Sequence, residues 1–232
     1  MEHHPALPQP LLQRMVPAPQ ETASAPLRAC LLSGGASRRM GTDKALLPHP
    51  EGGTWLERTL RLLGELDLPI TLLSRHAPHR VLAQALAKAE ALPQLEAITE
   101  PPPWEGPLLA LHRLMERHPD QRLLLCPVDM PDLSRSALQA LRRAAEAAPG
   151  AIHLAQDGER LQPLLAVLPA SAALRQHLAA AVNSGERRLQ GWLEQHPCRS
   201  VELEAPALRN CNRPDDLGGP LRPSPAPAPA PA

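Results

Sequence analysis

The chain has 232 residues, and its 24 basic and 24 acidic side chains give a formal net charge of +0. This balance excludes a general electrostatic attraction to nucleic acid or anionic lipid, so any anion-binding site must be local. Phenylalanine and tyrosine are absent and only three tryptophans are present, which argues against the aromatic platforms on which single-stranded nucleic acids stack.

The two ends of the chain differ from its middle. Residues 1–26 and 219–232 are rich in proline and alanine, and the C-terminal run PSPAPAPAPA has almost nothing to bury. Such segments favour extended polyproline II and cannot offset the entropy of ordering a fixed fold. We therefore expect two disordered tails around one domain at residues 27–218, a length of about 190 residues that suits a single α/β domain.

Short apolar runs alternate with longer amphipathic segments, a pattern typical of a sheet built from repeated βα units. The best central strand is residues 122–126 (RLLLC), which ends at Pro127. Asp157 and Gly158 predict a hairpin turn between two apolar runs, and Ser134 is a candidate helix N-cap. In chain order, we predict strand 27–32, helix 55–66, strand 70–73, helix 80–92, strand 97–99, helix 108–117, strand 122–126, helix 135–147, strands 151–155 and 164–168, helices 170–182 and 186–196, and strand 200–203.

This alternation predicts the α/β class, with a three-layer α/β/α sandwich around a mostly parallel sheet. In open sheets of this kind, ligands bind beyond the carboxyl ends of the strands. We therefore expect the functional residues to follow the strands at 27–32 and 122–126.

The strongest chemical signal is LSGGASRRMGTDK, residues 32–44, directly after the first strand. Its glycines allow tight turns and let backbone N–H groups approach an anion, and its basic side chains suit a polyphosphate. The spacing matches neither G-x-x-x-x-G-K-[ST] nor G-x-G-x-x-G. Taken alone, the segment could also be an ordinary solvated loop. The glycines are Gly34, Gly35 and Gly41, and the basic residues are Arg38, Arg39 and Lys44.

Asp129 is the candidate metal ligand. It lies in CPVDMP at the end of the central strand, where its carboxylate would face the ligand crevice, and Pro127 and Pro131 stiffen the backbone around it. Mg²⁺ is typically held by one or two carboxylates together with substrate phosphates. The alternative is that Asp129 caps the following turn, a role that suits Asp132 or Ser134 better.

The sequence also bears on location and redox state. No apolar run approaches the roughly 20 residues that a membrane span needs, and the N-terminus lacks the continuous apolar segment of a signal peptide. The four cysteines are scattered, with no C-x-x-C pair to suggest zinc binding or a redox dithiol. We expect a cytoplasmic protein with no membrane or nucleic-acid partner, whose cysteines are reduced and mostly buried.

Six motifs follow one another along the chain and together span essentially the whole predicted domain. They are LSGGASRRMGTDKALL (32–47), EGPLLAL (105–111), CPVDMP (126–131), LQPLLAVL (161–168), GERR (185–188) and NCNRPDDL (210–217). Their order resembles that of the MobA-type molybdenum cofactor guanylyltransferases. The first motif is shared with related cytidylyltransferases and sugar-nucleotide enzymes, whereas GERR and N-x-N-x-P-[DE]-[DE]-L narrow the resemblance to this family.

The resemblance implies a Rossmann-like nucleotidyltransferase fold and a reaction. In this reaction GMP passes from GTP to the terminal phosphate of molybdenum-bound molybdopterin, and pyrophosphate is released with Mg²⁺ as cofactor. Molybdoenzymes or cofactor-insertion proteins are the implied partners that would receive the product. The choice of GTP over CTP rests on the resemblance alone.

The resemblance also implies roles for individual residues. By this resemblance Lys44 would contact the nucleotide phosphates, and Asp129 would bind both Mg²⁺ and the nucleotide. The charge that moves during the transfer adds that Lys44 would stabilise the α-phosphoryl centre, and that Arg38 or Arg39 with the loop amides would hold the leaving pyrophosphate. Ser33 replaces a more usual alanine. Ser74 and Glu100 stand where the family often has Asn and Asp, and Ala110 stands where a glycine often follows G-P-L. The implied GTP contacts are Leu32, Ser33, Gly34, Lys44, Ser74, Glu100 and Asp129.

Four residues are assigned to the molybdopterin side of the site. Asn210 and Asn212 offer neutral donors and acceptors suited to a pterin, and Arg187 and Arg188 are suited to its phosphate. Alternatively, Asn212 caps a helix that begins near Pro214, and the two arginines only cover a helix face.

Other functions remain open at this point. Within enzymes, these are a molybdopterin cytidylyltransferase or a sugar-1-phosphate nucleotidyltransferase, both disfavoured by GERR and NCNRPDDL. Outside enzymes, the alternative is a noncatalytic nucleotide-binding or cofactor-handover protein, and the presence of Lys44 and Asp129 argues against it.

Overall fold

The buried apolar runs form one seven-stranded sheet within the part of the chain that the computed structural model describes, which is residues 25–35, 40–90, 92, 94–212 and 216. Continuous apolar stretches form its central strands because helices cover both faces. The strands are β1 (Leu27–Leu32), β2 (Ile70–Ser74), β3 (Leu95–Thr99), β4 (Arg122–Pro127), β5 (Ile152–Gln156), β6 (Leu161–Pro169) and β7 (Cys198–Glu202).

The strand order is β3-β2-β1-β4-β6-β5-β7, and β6 alone of these seven strands runs against the others. In β1, Ala29 pairs with Ile70 on one side and with Leu124 on the other. The chain leaves β1 toward β2 and β3 and then crosses back to β4. The loops therefore diverge at the carboxyl ends of β1 and β4, which is where open α/β sheets bind ligands.

Six helices flank this sheet in the described residues. Side chains cap three of them, the first, fourth and fifth. The Thr54 hydroxyl and the Glu57 carboxylate form a capping box for the first helix, and the Ser134 hydroxyl accepts from the N–H of Ala137, as predicted for the fourth. The helices are α1 (Trp55–Gly64), α2 (Ala77–Ala89), α3 (Pro107–Arg117), α4 (Arg135–Ala147), α5 (Ala172–Asn183) and α6 (Leu189–Leu193).

The sheet separates two hydrophobic cores. Successive strand side chains point to opposite faces, so β1 contributes Leu31 to one core and Cys30 to the other. Helices α1, α2 and α4 pack in the first core, and α3, α5 and α6 pack in the second. The predicted three-layer α/β/α sandwich with a mostly parallel sheet is confirmed.

The predicted hairpin is also confirmed. Strands β5 and β6 pair antiparallel, and the Asp157 carboxylate between them accepts hydrogen bonds from the backbone N–H groups of Glu159 and Arg160 at 3.1 and 2.8 Å. These bonds hold the turn in place, which is the usual role of aspartate in tight turns.

Two predicted helices differ from the structure. The helix predicted at 80–92 begins earlier, at Ala77, because Pro78 is accommodated in a first helical turn. The helix predicted at 186–196 is largely wrong, because α6 is helical over only five residues. The Glu186 carboxylate accepts the backbone N–H groups of Arg187 and Arg188 before α6, and these bonds hold the segment outside the helix.

The cysteines agree with expectation. Cys30, Cys126 and Cys211 are buried, Cys198 is exposed, and all four are free thiols. Burial raises the pKa of both the Cys30 and the Cys126 thiol to about 12, so neither is a nucleophile near neutral pH.

The predicted tails lie outside the described residues, apart from 25 and 26, so the domain boundaries stay a prediction. None of the described helices is long and apolar enough to cross a membrane.

Candidate active site

A cleft of about 380 Å³ opens beyond the carboxyl ends of β1 and β4. Its volume lies within the range of about 300–1,000 Å³ that is common for small-molecule sites. The cleft is lined by the loop after β1, by Asp43 to Ala45, by the residues after β4 and by the start of α3. Leu32, Ser33 and Gly34, which the sequence assigned to the nucleotide, all line it.

Lys44 and Asp129 meet in this cleft. Lys44 begins a short 3-10 helix, Lys44–Leu46, whose N-cap is Asp43, and the Asp43 carboxylate accepts the N–H of Ala45 at 3.1 Å. Asp129 follows β4, and its Oδ2 lies 3.3 Å from the Lys44 ammonium. The two side chains are only 12% and 24% exposed, so their electrostatic interaction is less screened than that of a surface pair. The two candidate catalytic residues therefore lie together in one cleft.

Asn212 joins this pair. Its Oδ1 accepts a hydrogen bond from the Lys44 ammonium at 2.5 Å. The backbone places it there, because the N–H of Cys211 donates to the Asp129 carbonyl at 2.9 Å and the Asp216 carboxylate accepts the N–H of Asn212 at 2.7 Å. The sequence assigned Asn212 to the pterin and Lys44 to the nucleotide, and in this structure the Asn212 amide contacts Lys44.

His79 connects three parts of the cleft wall, and the sequence analysis did not identify it. The ring is 1% exposed, and its Nδ1 lies 2.9 Å from the Ser33 carbonyl oxygen and 3.0 Å from the Ser74 hydroxyl. Its Nε2 lies 2.8 Å from Oδ2 of Asp43. One buried imidazole thus ties the ends of β1 and β2 to the residue that caps the lysine segment.

Ser74 lies behind the cleft surface. Its hydroxyl donates to the Ser33 carbonyl at 2.7 Å and also accepts the backbone N–H of His76 at 3.1 Å. The residue is fully buried. The structure therefore places this predicted nucleotide contact in support of Ser33 rather than on the cleft surface.

Glu100 forms the wall beyond β3. It is 6% exposed, and its Oε1 accepts from the Arg113 guanidinium at 3.1 Å. Burial raises the pKa of the Glu100 carboxyl, although Arg113 opposes that shift. A Cβ at position 34 would collide with the Glu100 carboxylate where it now lies, so a larger residue in place of Gly34 would require the Glu100 side chain to move.

Arg187 and Arg188 are placed differently. The Arg187 guanidinium pairs with Glu105 at 2.5 Å and donates to the carbonyls of Val182 and Glu186. Arg188 has a side chain that is 85% exposed and lies 3.9 Å from the Glu186 carboxylate. Arg187 thus braces the loop beside the cleft, and Arg188 is the more accessible cation.

Three residues predicted from the sequence remain: Asn210, Arg38 and Arg39. Asn210 donates from its amide to Gln162 at 2.9 Å, so it contacts β6 rather than Lys44. Arg38 and Arg39 lie outside the described residues, and their assignment to pyrophosphate stays a prediction.

The described residues offer few side-chain ligands for a metal ion. No group of three or more His, Cys, Asp or Glu side chains among them could hold a metal ion. Asp129 offers one carboxylate in the cleft, and this donor set fits Mg²⁺, which is usually bound through one or two carboxylates plus substrate phosphates and water.

Among the charged and aromatic residues that line the cleft, Asp43, Arg75 and Trp104 were, like His79, given no role from the sequence. For Trp104 a signal existed, since a lone aromatic residue in a proline-rich loop is unusual in a chain without phenylalanine or tyrosine. Asp43 lies within the first motif, directly before Lys44, whereas Arg75 and His79 lie in none of the six motifs and only the fold brings them to the cleft.

Comparison with known proteins finds similar sequences over most of the chain. The family model described as the MobA-like NTP transferase domain matches residues 29–201. A protein of Rhodopirellula baltica named probable molybdenum cofactor guanylyltransferase is 37% identical over 207 residues, which cover 86% of this chain and 93% of that protein. A Mycobacterium tuberculosis protein of the same name is 33% identical over 205 residues, covering 85% and 94%.

Solved structures share the fold. The molybdopterin-guanine dinucleotide biosynthesis protein A of Archaeoglobus fulgidus superimposes with a TM-score of 0.63 at 20% identity, covering 82% of this chain and 95% of that one. The 4-diphosphocytidyl-2C-methyl-D-erythritol synthase of Anaerococcus prevotii gives 0.61 at 10% identity, covering 84% and 95%. At these identities the two structures support the Rossmann-like nucleotidyltransferase architecture and nothing narrower.

Proposed function

The chain belongs to the MobA-like NTP transferase family, and we propose that it transfers GMP from GTP to the terminal phosphate of molybdenum-bound molybdopterin, with release of pyrophosphate. The observation that carries this proposal is the pairing of Lys44 with Asp129 beside the glycine-containing loop after β1. The two named relatives, which match over at least 85% of the chain, support the choice of donor and acceptor.

The reaction needs alignment and charge stabilisation more than covalent chemistry. An oxygen of the acceptor phosphate forms a bond to the α-phosphorus of GTP as the bond from that phosphorus to the bridging oxygen breaks. The electron pair of the broken bond leaves with pyrophosphate. The attacking phosphate is already anionic near neutral pH, so no general base is required.

Lys44 would stabilise the charge that develops on the α-phosphoryl oxygens. Its ammonium is held by Asp129 and Asn212 at 3.3 and 2.5 Å, so its position is set before the nucleotide arrives. Such preorganised charge stabilises a transition state without a cost of reorganisation during the reaction. Arg38 and Arg39 would hold the departing pyrophosphate.

Asp129 would hold Mg²⁺ together with the nucleotide phosphates. Bound there, the ion would neutralise charge on the phosphate oxygens and help to orient them. Asp129 would then direct its carboxylate to the cation, and Lys44 would direct its ammonium to the phosphates.

The acceptor would approach from the side of Arg187, Arg188 and Asn210. Arg188 supports this assignment best, because its side chain is 85% exposed, whereas Arg187 is already bonded to Glu105 and two carbonyl groups. The backbone carbonyl of Arg187 lies 3.5 Å from where a Cβ of Gly106 would stand, so this segment borders the cleft.

The deciding experiment supplies the purified protein with Mg²⁺, molybdenum-loaded molybdopterin and one nucleoside triphosphate at a time. Mass spectrometry identifies the dinucleotide and a coupled assay follows pyrophosphate. We expect product with GTP and none without Mg²⁺. Product with CTP instead would identify a cytidylyltransferase, and pyrophosphate release only with a sugar 1-phosphate acceptor would identify a sugar nucleotidyltransferase. Nucleotide binding without any product would identify a noncatalytic binding protein.

A further inference from the structure

Trp104 is the exposed one of the three tryptophans, all of which lie in the described part of the chain. The other two tryptophans, Trp55 and Trp192, are 2% and 1% exposed, whereas Trp104 is 52% exposed and lines the cleft. Burying a large indole is favourable, and a tryptophan left half open usually has a polar anchor and a free apolar surface. The half-exposed ring therefore offers apolar surface to a molecule bound in the cleft.

The indole is held in place without a ligand. Its Nε1–H donates to the Glu100 carbonyl at 3.0 Å, and the Arg75 guanidinium lies over the ring at 5.2 Å from its centroid. The cation–π contact and the hydrogen bond together fix the ring orientation. Stacking a flat ligand on this ring would therefore cost little side-chain entropy.

Trp104 lines the same cleft as Asp129 but is held at a different strand end. It is anchored beyond β3 through Glu100, whereas Asp129 follows β4, and β2 and β1 lie between those strands. Three strand spacings correspond to about 14 Å. With the nucleotide phosphates at Lys44 and Asp129, this separation leaves Trp104 available to the base.

We propose that Trp104 stacks on the base of the donor nucleotide and favours the two-ring purine over a one-ring pyrimidine. This inference rests on the proposed function, and it supplies a physical basis for the choice of GTP over CTP. Stacking on aromatic side chains tolerates any base, but a fused ring covers more of the indole. Guanine and pterin share a two-ring, amino- and oxo-substituted heterocycle, so the test must separate the nucleotide from the acceptor.

Tryptophan fluorescence reports the stack directly, because Trp55 and Trp192 are shielded from the cleft. GTP without acceptor should quench the emission of the wild-type protein, CTP should quench it less, and a free pterin should leave it unchanged. In Trp104→Phe the quenching should disappear, since only the two buried tryptophans remain. Quenching by pterin with none by GTP would overturn the assignment to the nucleotide base.

Affinity is the second measurement. Trp104→Leu should weaken GTP binding about tenfold and CTP binding less, because it removes the stacking surface. Trp104→Phe should retain most of the GTP affinity, and Val81→Ala, at a position 64% exposed on α2, should match the wild type. Equal losses for GTP and CTP in Trp104→Leu, or no loss for either, would overturn the proposal.

The two levels of inference can fail separately. If the wild type forms the guanine dinucleotide but Trp104→Leu binds GTP normally, the stack is wrong and the proposed function stands. If GTP quenches Trp104 but no dinucleotide forms, the stack stands and the proposed reaction is wrong.

Discussion

The Lys44 ammonium donates a hydrogen bond to the amide oxygen of Asn212 at 2.5 Å, although 168 positions separate the two residues in the chain. The same ammonium lies 3.3 Å from Asp129. Asn212 therefore helps to orient the residue proposed to stabilise the transferred phosphoryl group. This relationship makes Asn212 a positioning residue for Lys44, beside its predicted role toward the pterin.

Substitution Asn212→Ala separates the two roles. Loss of a hydrogen bond to a charged group should lower kcat about tenfold with little change in the KM for molybdopterin. Asn210→Ala is the matched comparison, because that amide bonds to Gln162 and not to Lys44. A rise in acceptor KM at unchanged kcat would assign Asn212 to the pterin instead, and steady-state kinetics in both substrates distinguishes the two outcomes.

The substitution Asp129→Asn tests whether Asp129 binds Mg²⁺. Losing the contact between the Asp129 carboxylate and the metal ion should cost roughly 3 kcal/mol of transition-state stabilisation, or about a hundredfold in turnover. The Mg²⁺ concentration needed for the half-maximal rate should also rise. Circular dichroism should show an intact fold.

The control for Asp129 is Asp132→Asn, which removes a nearby, more exposed carboxylate that pairs with Arg209 at 2.7 Å. Surface pairs contribute little to stability, so this variant should stay within about twofold of the wild-type rate. Wild-type turnover in Asp129→Asn would rule out the metal assignment.

Substitution His79→Ala tests the buried link between the strand ends and the lysine segment. It removes partners from Asp43, Ser33 and Ser74 in a buried site, and we expect a loss of about 1–3 kcal/mol in the free energy of unfolding, measured with urea. It should also lower kcat/KM because the cap that precedes Lys44 loosens. His79→Gln, which can still donate to Asp43, should recover part of the activity, and an equal loss in both variants would argue for packing alone.

The pH dependence of stability should reflect His118. Burial lowers the pKa of this imidazole to about 4, and the nearby Arg28 and Arg117 act in the same direction while Glu96 opposes them. Between pH 6.5 and about 4 the unfolded chain binds a proton that the folded chain does not. The contribution of His118 to the free energy of unfolding should therefore be fully present above pH 6.5 and decrease as the pH drops toward 4.

Urea unfolding across this pH range checks the prediction, with His118→Gln as the variant. Its side chain cannot bind the proton, so the decrease in the free energy of unfolding should be smaller. Some decrease should remain, because burial also lowers the pKa values of His153 and His196. An unchanged pH profile in His118→Gln would show that His118 does not account for the slope.

Much of the fold was readable from local patterns. Strand β4 is a continuous apolar run because both of its faces are covered, and Ser134 caps α4 through a bond that spans three residues. The prediction failed at 186–196, where amphipathic spacing suggested a helix and the Glu186 carboxylate instead binds the next two backbone N–H groups. A side-chain cap of this kind competes with helix formation and leaves no periodic signal.

The amino-acid pattern alone was enough to predict the family, the α/β class and the loops that line the cleft, because the residues of those motifs are contiguous and follow strand ends. Three contacts became visible in the folded chain alone: Asn212 contacts Lys44, His79 joins Asp43 to the strand ends, and Trp104 is the tryptophan of the three that lines the cleft. These relationships connect residues distant in sequence, and their distances depend on how the loops pack once the strands have paired. No local pattern of residue types encodes such a distance.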